Sequence, residues 1–142
     1  MFVKEIMNKD FVIINPHMVA QEAAEKMNEA QTKCLMAVEK KKLVGIITDW
    51  DFVKLVAEAK DPGKVKVKDI MTTDVIVVNP DLSIEEAAEL MFKNNIKKLP
   101  VVAGNVLIGV VTAMEIIMAE PKLMEQIGNL IMLSKKSKSV AG

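Results

Sequence analysis

The sequence has no arginine and no tyrosine, and it has one cysteine, one histidine and one tryptophan in 142 residues. A lone Cys34 excludes an internal disulfide and any cluster of thiolate ligands, and a lone His17 excludes the usual histidine-rich metal sites. All nineteen basic residues are lysines, so the two-pronged donor that reads guanine or clamps phosphate is missing. Aromatic residues make up 4% and offer few stacking platforms. Sequence-specific nucleic-acid recognition is therefore disfavoured.

Long apolar runs are also missing, since none approaches the roughly 18 residues that a membrane-spanning helix needs. The first residues include Glu5, an acid where a signal peptide would have its apolar core. Nineteen acids balance the nineteen lysines, and 51% of the residues are hydrophobic, which is too apolar for a disordered chain. We therefore expect a folded cytoplasmic protein with no membrane partner.

What the sequence does contain is an internal repeat. Residues 3–56 align with residues 67–120 at a constant offset of 64, without a gap and with 18 identities over 54 positions. The shared features are an opening Val-Lys-acid-Ile-Met, an Asn-Pro, a Glu-Ala-Ala-Glu helix segment and a Gly-Ile/Val-Ile/Val-Thr exit. Self-similarity of this kind indicates two copies of one structural unit.

Each copy predicts the order β-α-β-β-α, an α/β (α+β) fold. Short β-branched runs at 11–14 and 75–78 end in Asn-Pro and predict strands. Ser83 and Glu86 form a capping-box pattern before a helix. Further strands are predicted at 35–38, 43–47, 99–102 and 106–111, with a second helix after each Thr. The predicted organisation is a first repeat at 1–58, a linker at 59–66, a second repeat at 67–120, and a C-terminal helix and basic tail at 121–142.

The most informative stretch is Gly-Ile-Ile-Thr-Asp-Trp-Asp, residues 45–51, which runs from an apolar strand directly into a helix. Free amides at a helix start favour an anion. The Thr48 hydroxyl and the Asp51 carboxylate, one turn apart, can face one spot, and a carboxylate accepts two hydrogen bonds from a ribose diol. The alternative is helix capping alone, with Thr48 or Asp49 as the N-cap.

The repeat resembles the cystathionine-β-synthase (CBS) domain, and the two tandem copies resemble the usual pair of such domains, packed by pseudo-twofold symmetry through their sheets. The resemblance covers about residues 3–120 and includes Leu99-Pro100-Val101-Val102. It implies a regulatory sensor that is not an enzyme and that binds AMP, ADP, ATP or S-adenosylmethionine in clefts between the copies. The ligand would be regulatory, and no resident cofactor is expected.

The resemblance also assigns residues to two mixed clefts, each combining a hydroxyl-acid pair from one copy with a wall from the other. The first cleft would use Thr48, Asp51, Asp74, Val75, Ile76, Ile96, Lys97, Lys98 and Pro100. The second cleft would use Thr112, Glu115, Asp10, Phe11, Val12, Thr32, Lys33, Cys34 and Met36.

The second cleft departs from the family pattern, so the first is the expected nucleotide site. In the second cleft the acid is Glu115, one methylene longer than Asp, and Met36 stands where the second copy has Pro100. Lys97 and Lys98 either contact ligand phosphates or are ordinary solvated charges. Cys34 is either a redox sensor or, as a lone cysteine before an apolar strand, a small hydrophobe.

The competing function is a structural dimerisation module without a small ligand. Val53, Leu55 and Val56 in the first copy, and residues 116–118 in the second, predict helix faces that one short layer does not cover. We therefore expect a homodimer and an unidentified regulated protein as partners. The basic tail at 135–139 is either a solvated end or a weak anion-binding segment.

Overall fold

The computed structural model describes residues 1–128, which form two compact units. One unit contains Asp10–Val75, and the other combines Met1–Lys9 with the chain from Ile76 onward. In chain order the elements are α1 (Val3–Ile6), β1 (Ile13–Ile14), α2 (Ala20–Ala30), β2 (Cys34–Glu39), β3 (Lys42–Thr48), α3 (Asp49–Ala57), α4 (Val67–Ile70), α5 (Ile84–Asn94), β4 (Lys98–Ala103), β5 (Val106–Thr112) and α6 (Ala113–Ala119), followed by a 3-10 turn (Pro121–Leu123).

The helices and hairpins predicted from the repeat are confirmed, and so is the mixed α/β class. In the Asp10–Val75 unit the strand order is β1-β2-β3, with β1 parallel to β2 and an antiparallel β2–β3 hairpin. The other unit contains the equivalent antiparallel hairpin of β4 and β5. The N-cap at Ser83 is also confirmed, because its hydroxyl accepts the Glu86 N–H at 3.1 Å.

The first strand of each repeat is shorter than predicted. The strand expected at 11–14 is reduced to β1, and the one expected at 75–78 is reduced to a single bridge between Val78 and Val101. Proline explains the difference between the copies. The Met36 N–H donates to the Val12 carbonyl at 2.9 Å, whereas the aligned Pro100 has no N–H to donate.

Each repeat opens with an arm that packs in the other repeat's unit; the first arm is residues 2–8 and the second is residues 66–72. The Val3 N–H donates to the Leu82 carbonyl at 2.8 Å, and the aligned Val67 N–H donates to Met18 at 2.8 Å. Asn8 then bridges Val110, as Thr72 bridges Ile46. The boundaries of the compact units are therefore displaced from those of the sequence repeats.

Two glycines make room for the arms. A Cβ on Gly109 would lie 2.6 Å from the Sδ of Met7, and one on Gly45 would lie 2.8 Å from the Cγ of Met71 and 3.0 Å from the Thr72 carbonyl oxygen. Real Cβ atoms essentially never approach a heavy atom below 3.0 Å. The arm methionines therefore lie in notches that only glycine leaves open.

Each unit has its own hydrophobic core. Ala23, Met27, Leu35, Ile47 and Val67 belong to the core of the Asp10–Val75 unit. The core of the other unit contains Val3, the α5 residues Ala87, Ala88 and Met91, and residues of β4, β5 and α6. Small side chains on α2 and α5 thus lie against the sheets, as their alanine-rich pattern predicts.

The C-terminal segment adds to the second core. Residues 124–128 are helical, Ile127 is fully buried, and Leu123 packs against the same cluster. The remainder of the predicted C-terminal helix and the basic tail at 135–139 lie outside the described residues.

Candidate functional site

The hydroxyl and the acid singled out in the sequence meet at the start of α3. Thr48 is the N-cap in an extended conformation, and Asp51 lies in the first helical turn. The Thr48 backbone N–H donates to Asp51 Oδ2 at 2.8 Å, and the Thr48 hydroxyl donates to the same oxygen at 3.4 Å. The helix-capping role that the sequence offered as the alternative, with Thr48 as the N-cap, is therefore present.

Capping occupies only part of the Asp51 carboxylate. Its other oxygen, Oδ1, lies 3.6 Å from the Lys54 ammonium, a long ion pair between i and i+3. A carboxylate has about four lone-pair sites, so Oδ1 still has acceptor capacity. Asp51 is 6% exposed and is the one buried charged residue among residues 1–128. A hydrogen bond to a carboxylate in this low-dielectric setting is stronger than one at an open surface.

The sequence missed the surroundings of this carboxylate. A pocket of about 150 Å³ within the Asp10–Val75 unit is lined by Asp51 and Lys54 together with Leu55, Glu58, Lys60, Asp69 and Ile70. Asp69 and Ile70 belong to α4 in the second arm, so the repeat pattern alone did not place them beside α3. The i to i+3 spacing of Asp51 and Lys54 was the one available signal for this environment.

The equivalent pair in the second repeat caps its helix more completely. The Thr112 N–H and hydroxyl donate to Glu115 Oε1 at 2.9 and 3.0 Å, and the Glu115 N–H donates back to the Thr112 hydroxyl at 3.3 Å. Glu115 is half-buried, whereas Asp51 is buried. The longer glutamate therefore gives a pair with the same capping chemistry in a more solvent-exposed position.

Within each unit, the hydroxyl-acid pair lies beside the start of its own repeat's second strand. Cys34 pairs with Thr48 across the β2–β3 hairpin, and the Asp49 N–H donates to the Lys33 carbonyl at 3.3 Å. Lys98 likewise pairs with Thr112, and the Ala113 N–H donates to the Lys97 carbonyl at 2.9 Å.

The residues assigned to the two clefts are divided between the units. The Asp10–Val75 unit holds Thr48, Asp51, Asp74 and Val75 of the first cleft, and Asp10, Phe11, Val12, Thr32, Lys33, Cys34 and Met36 of the second. The other unit holds Ile76, Ile96, Lys97, Lys98 and Pro100 of the first, and Thr112 and Glu115 of the second. The pairing of each set into one mixed cleft stays a prediction.

Burial separates the wall residues into two kinds. Pro100, Cys34 and Met36 are buried, whereas Asp74, Asp10 and Lys33 are exposed. The remaining wall residues are half-buried, among them both lysines of the Lys97–Lys98 pair. The lysines are thus partly covered, which differs from a fully solvated surface pair.

Residues 1–128 contain no group of three His, Cys, Asp or Glu side chains that could hold a metal ion. In the same part of the chain, every helix is too short or too polar to cross a membrane.

Comparisons with known proteins agree with the repeat. The family model of the CBS domain matches residues 3–58 and again residues 67–122. The chain is 34% identical to the CBS domain-containing protein YhcV of Bacillus subtilis, over 77% of this chain and 78% of that protein. It is 39% identical to the uncharacterised protein MK0525 of Methanopyrus kandleri over 88% of this chain, but the match spans only 65% of that longer protein.

A solved structure resembles the fold. The CBS domain pair of protein MJ0100, in complex with 5′-methylthioadenosine and S-adenosyl-L-methionine, superposes with a TM-score of 0.74 and 32% sequence identity. The match covers 84% of this chain and 94% of that one.

Proposed function

Because the chain belongs to the CBS-domain family through both of its repeats, we propose that it is a regulatory module that binds an adenosine-containing ligand and catalyses no reaction on it. The observation that carries the proposal is the similarity to the MJ0100 pair, whose structure contains two adenosine compounds. The candidate ligands are S-adenosylmethionine, methylthioadenosine, AMP, ADP and ATP. The ligand acts as a regulatory signal for a partner protein and is not a cofactor.

Asp51 is the residue that we assign to the ribose. Its Oδ1 atom retains acceptor capacity for a hydroxyl, while Oδ2 is held by Thr48. Charge-assisted hydrogen bonds of this kind contribute about 1.5–3 kcal/mol each. Lys97 and Lys98 would then interact with ligand phosphates, so their effect should grow from AMP to ATP.

The burial of Asp51 makes asparagine a better test substitution than alanine. An acid on an open surface could be replaced by alanine at little cost, but Asp51 is buried and caps α3. Asp51→Asn keeps one oxygen for the Thr48 N–H and replaces the other with an amide donor. The fold should therefore persist while the charged acceptor for the diol is lost.

The experiment is calorimetric titration of wild type, Asp51→Asn and the matched control Glu115→Gln with each candidate ligand. We expect Asp51→Asn to weaken binding at least about tenfold, which corresponds to about 1.4 kcal/mol, and Glu115→Gln to have a smaller effect. Equal losses would show that the two pairs are equivalent. A loss confined to Glu115→Gln would identify the second cleft as the site.

Two further measurements test the rest of the proposal. A ligand at 100 times its dissociation constant adds about 2.7 kcal/mol of stability, so a thermal shift should accompany binding. The absence of a shift with every candidate at millimolar concentration would refute ligand binding. Chromatographic recovery of the unchanged ligand after long incubation tests the absence of turnover.

A specific observation also favours self-association into a homodimer. Trp50, Val53 and Val56 on α3 are 58%, 52% and 74% exposed, and Met118 on α6 is 78% exposed. Leu55, Ile116 and Ile117, which the sequence also assigned to these faces, are buried instead. Exposed apolar side chains grouped on one helix are typical of an interaction surface.

Light scattering should therefore give twice the chain mass of 15.7 kDa at micromolar concentrations. Trp50→Lys should shift the population to the monomer. Phe92→Lys is the matched control, because Phe92 is similarly exposed, at 54%, but lies on α5. A monomeric wild type, or equal dissociation of both variants, would contradict the assignment of this surface.

A further inference from the structure

The hairpin turns of the two repeats have the same backbone conformation, but one consists of charged residues and the other of uncharged ones. Lys40 and Lys41 connect β2 to β3 with φ angles of 51° and 68°, and the aligned Gly104 and Asn105 connect β4 to β5 with φ angles of 53° and 73°. A two-residue turn with positive φ at both positions favours Gly and Asn. The second repeat follows this preference and the first does not.

Lysine at both positions costs stability, because its Cβ crowds the backbone in the left-handed region. Residues held in such backbone conformations cluster at functional sites. Lys42 extends the pair to three consecutive lysines, all of which are exposed. Among residues 1–128 none of the three forms an ion pair within 4 Å, and the neighbouring Glu39 carboxylate is directed to His17 Nε2 at 2.8 Å instead.

We propose that this lysine turn, residues 40–42, is a docking point for an acidic segment of a partner protein. It lies at the opposite end of the hairpin from the Cys34–Thr48 pair, so it is separate from the ligand site by the length of β3, about 20 Å at roughly 3.3 Å per residue. The proposal therefore does not depend on nucleotide binding.

The surroundings of the lysine turn favour an acidic protein segment over the other anionic partners. Residues 34–48 contain no aromatic side chain on which a base could stack. Three lysines would neutralise only about three phosphates, which gives weak, salt-sensitive binding to nucleic acid. In the described chain, every large apolar side chain that is exposed lies outside 34–48, so the hairpin has nothing to insert into a lipid surface.

The test uses the full chain and its own second turn. Lys40→Gly/Lys41→Asn transplants the turn of the second repeat, and it removes two charges while keeping the backbone. Lys64→Gln/Lys68→Gln removes two charges from exposed positions elsewhere and has the same net charge. Backbone amide NMR shifts are followed during titration with a hexaglutamate peptide at about 50 mM salt, where screening is modest.

We expect shift changes concentrated at residues 39–43, affinity reduced about fivefold or more in the turn variant, and little change in the control. The melting temperature of the turn variant should rise by about 3 °C or more, because the strain is relieved. Shifts that are absent, spread over the surface or lost equally in the control would overturn the proposal. An unchanged or lower melting temperature, or tighter binding of oligothymidylate than of hexaglutamate, would overturn it as well.

Discussion

Replacing Gly45 with alanine should destabilise the protein, because the new methyl group would collide with both a side chain and the backbone of the second arm. The new Cβ would lie 2.8 Å from Met71 Cγ and 3.0 Å from the Thr72 carbonyl oxygen. The methionine can move aside, but the carbonyl belongs to the arm backbone, which also bonds to Ile46 at 2.9 Å in both directions. Relief of the clash therefore requires the arm to shift.

The expected cost is about 1–3 kcal/mol, the usual range for an added methyl group in a well-packed site. A gain of roughly 0.5–1 kcal/mol from replacing a strand glycine with alanine opposes it. The net loss should lower the melting temperature by several degrees. Urea and thermal unfolding measure the change, and Gly63→Ala is the control, since its nearest new contact is Asp61 Oδ1 at 3.3 Å.

A double-mutant cycle separates the side-chain clash from the backbone clash. In a Met71→Ala background the Gly45→Ala change should cost less, with a coupling of about 0.5 kcal/mol or more between the two positions. Additive effects would mean that the methionine does not fill the notch. A Gly45→Ala protein as stable as wild type would refute the steric argument altogether.

Three further predictions concern single contacts. Ser83→Ala should cost about 1 kcal/mol in urea unfolding, because the Glu86 N–H loses its cap. Met36→Pro should cost at least about 1 kcal/mol and perturb the amide signals of residues 12–14, because it removes the N–H that bonds to Val12. The hydrogen bond to Asp81 raises the pKa of Lys4. The stability difference between wild type and Lys4→Gln should therefore be fully present below pH 10.5 and disappear as the pH rises through the raised value.

The repeat made the helices and hairpins predictable, because the same pattern occurs twice with its turns and caps aligned. The helix starts at Thr48, Ser83 and Thr112 follow from local chemistry, because free amides there are satisfied by the acid at Thr48, by the hydroxyl at Ser83 and by both at Thr112. The loss of the strand at 75–78 was also readable in principle. It depends on the missing N–H of Pro100, but that proline lies on the neighbouring strand.

Long-range placement was the part that the sequence did not predict. An offset of 64 shows which residues are alike and does not show which ones touch, so it could not reveal that Val3 packs in the unit of Leu82. The burial of Asp51 was missed for the same reason, since Asp69 and Ile70 beside it come from the second arm. The left-handed backbone of Lys40 and Lys41 was hidden because lysine gives no turn signal.

Because each arm packs in the unit of the other repeat, the two repeats depend on each other, and this bears on how such a protein could arise by gene duplication. In the present chain each arm fills the glycine notch of the other repeat. A gene that encoded one repeat would therefore produce an arm and a notch without the partner repeat. Two such molecules could complete each other by exchanging arms. Fusion of two copies turns the exchange of arms between molecules into an exchange within one chain. The chain then passes from one unit to the other near Asp10 and again near Ile76. After fusion the copies can diverge at residues such as Pro100 and Lys40, but neither can lose its arm without leaving the other incomplete.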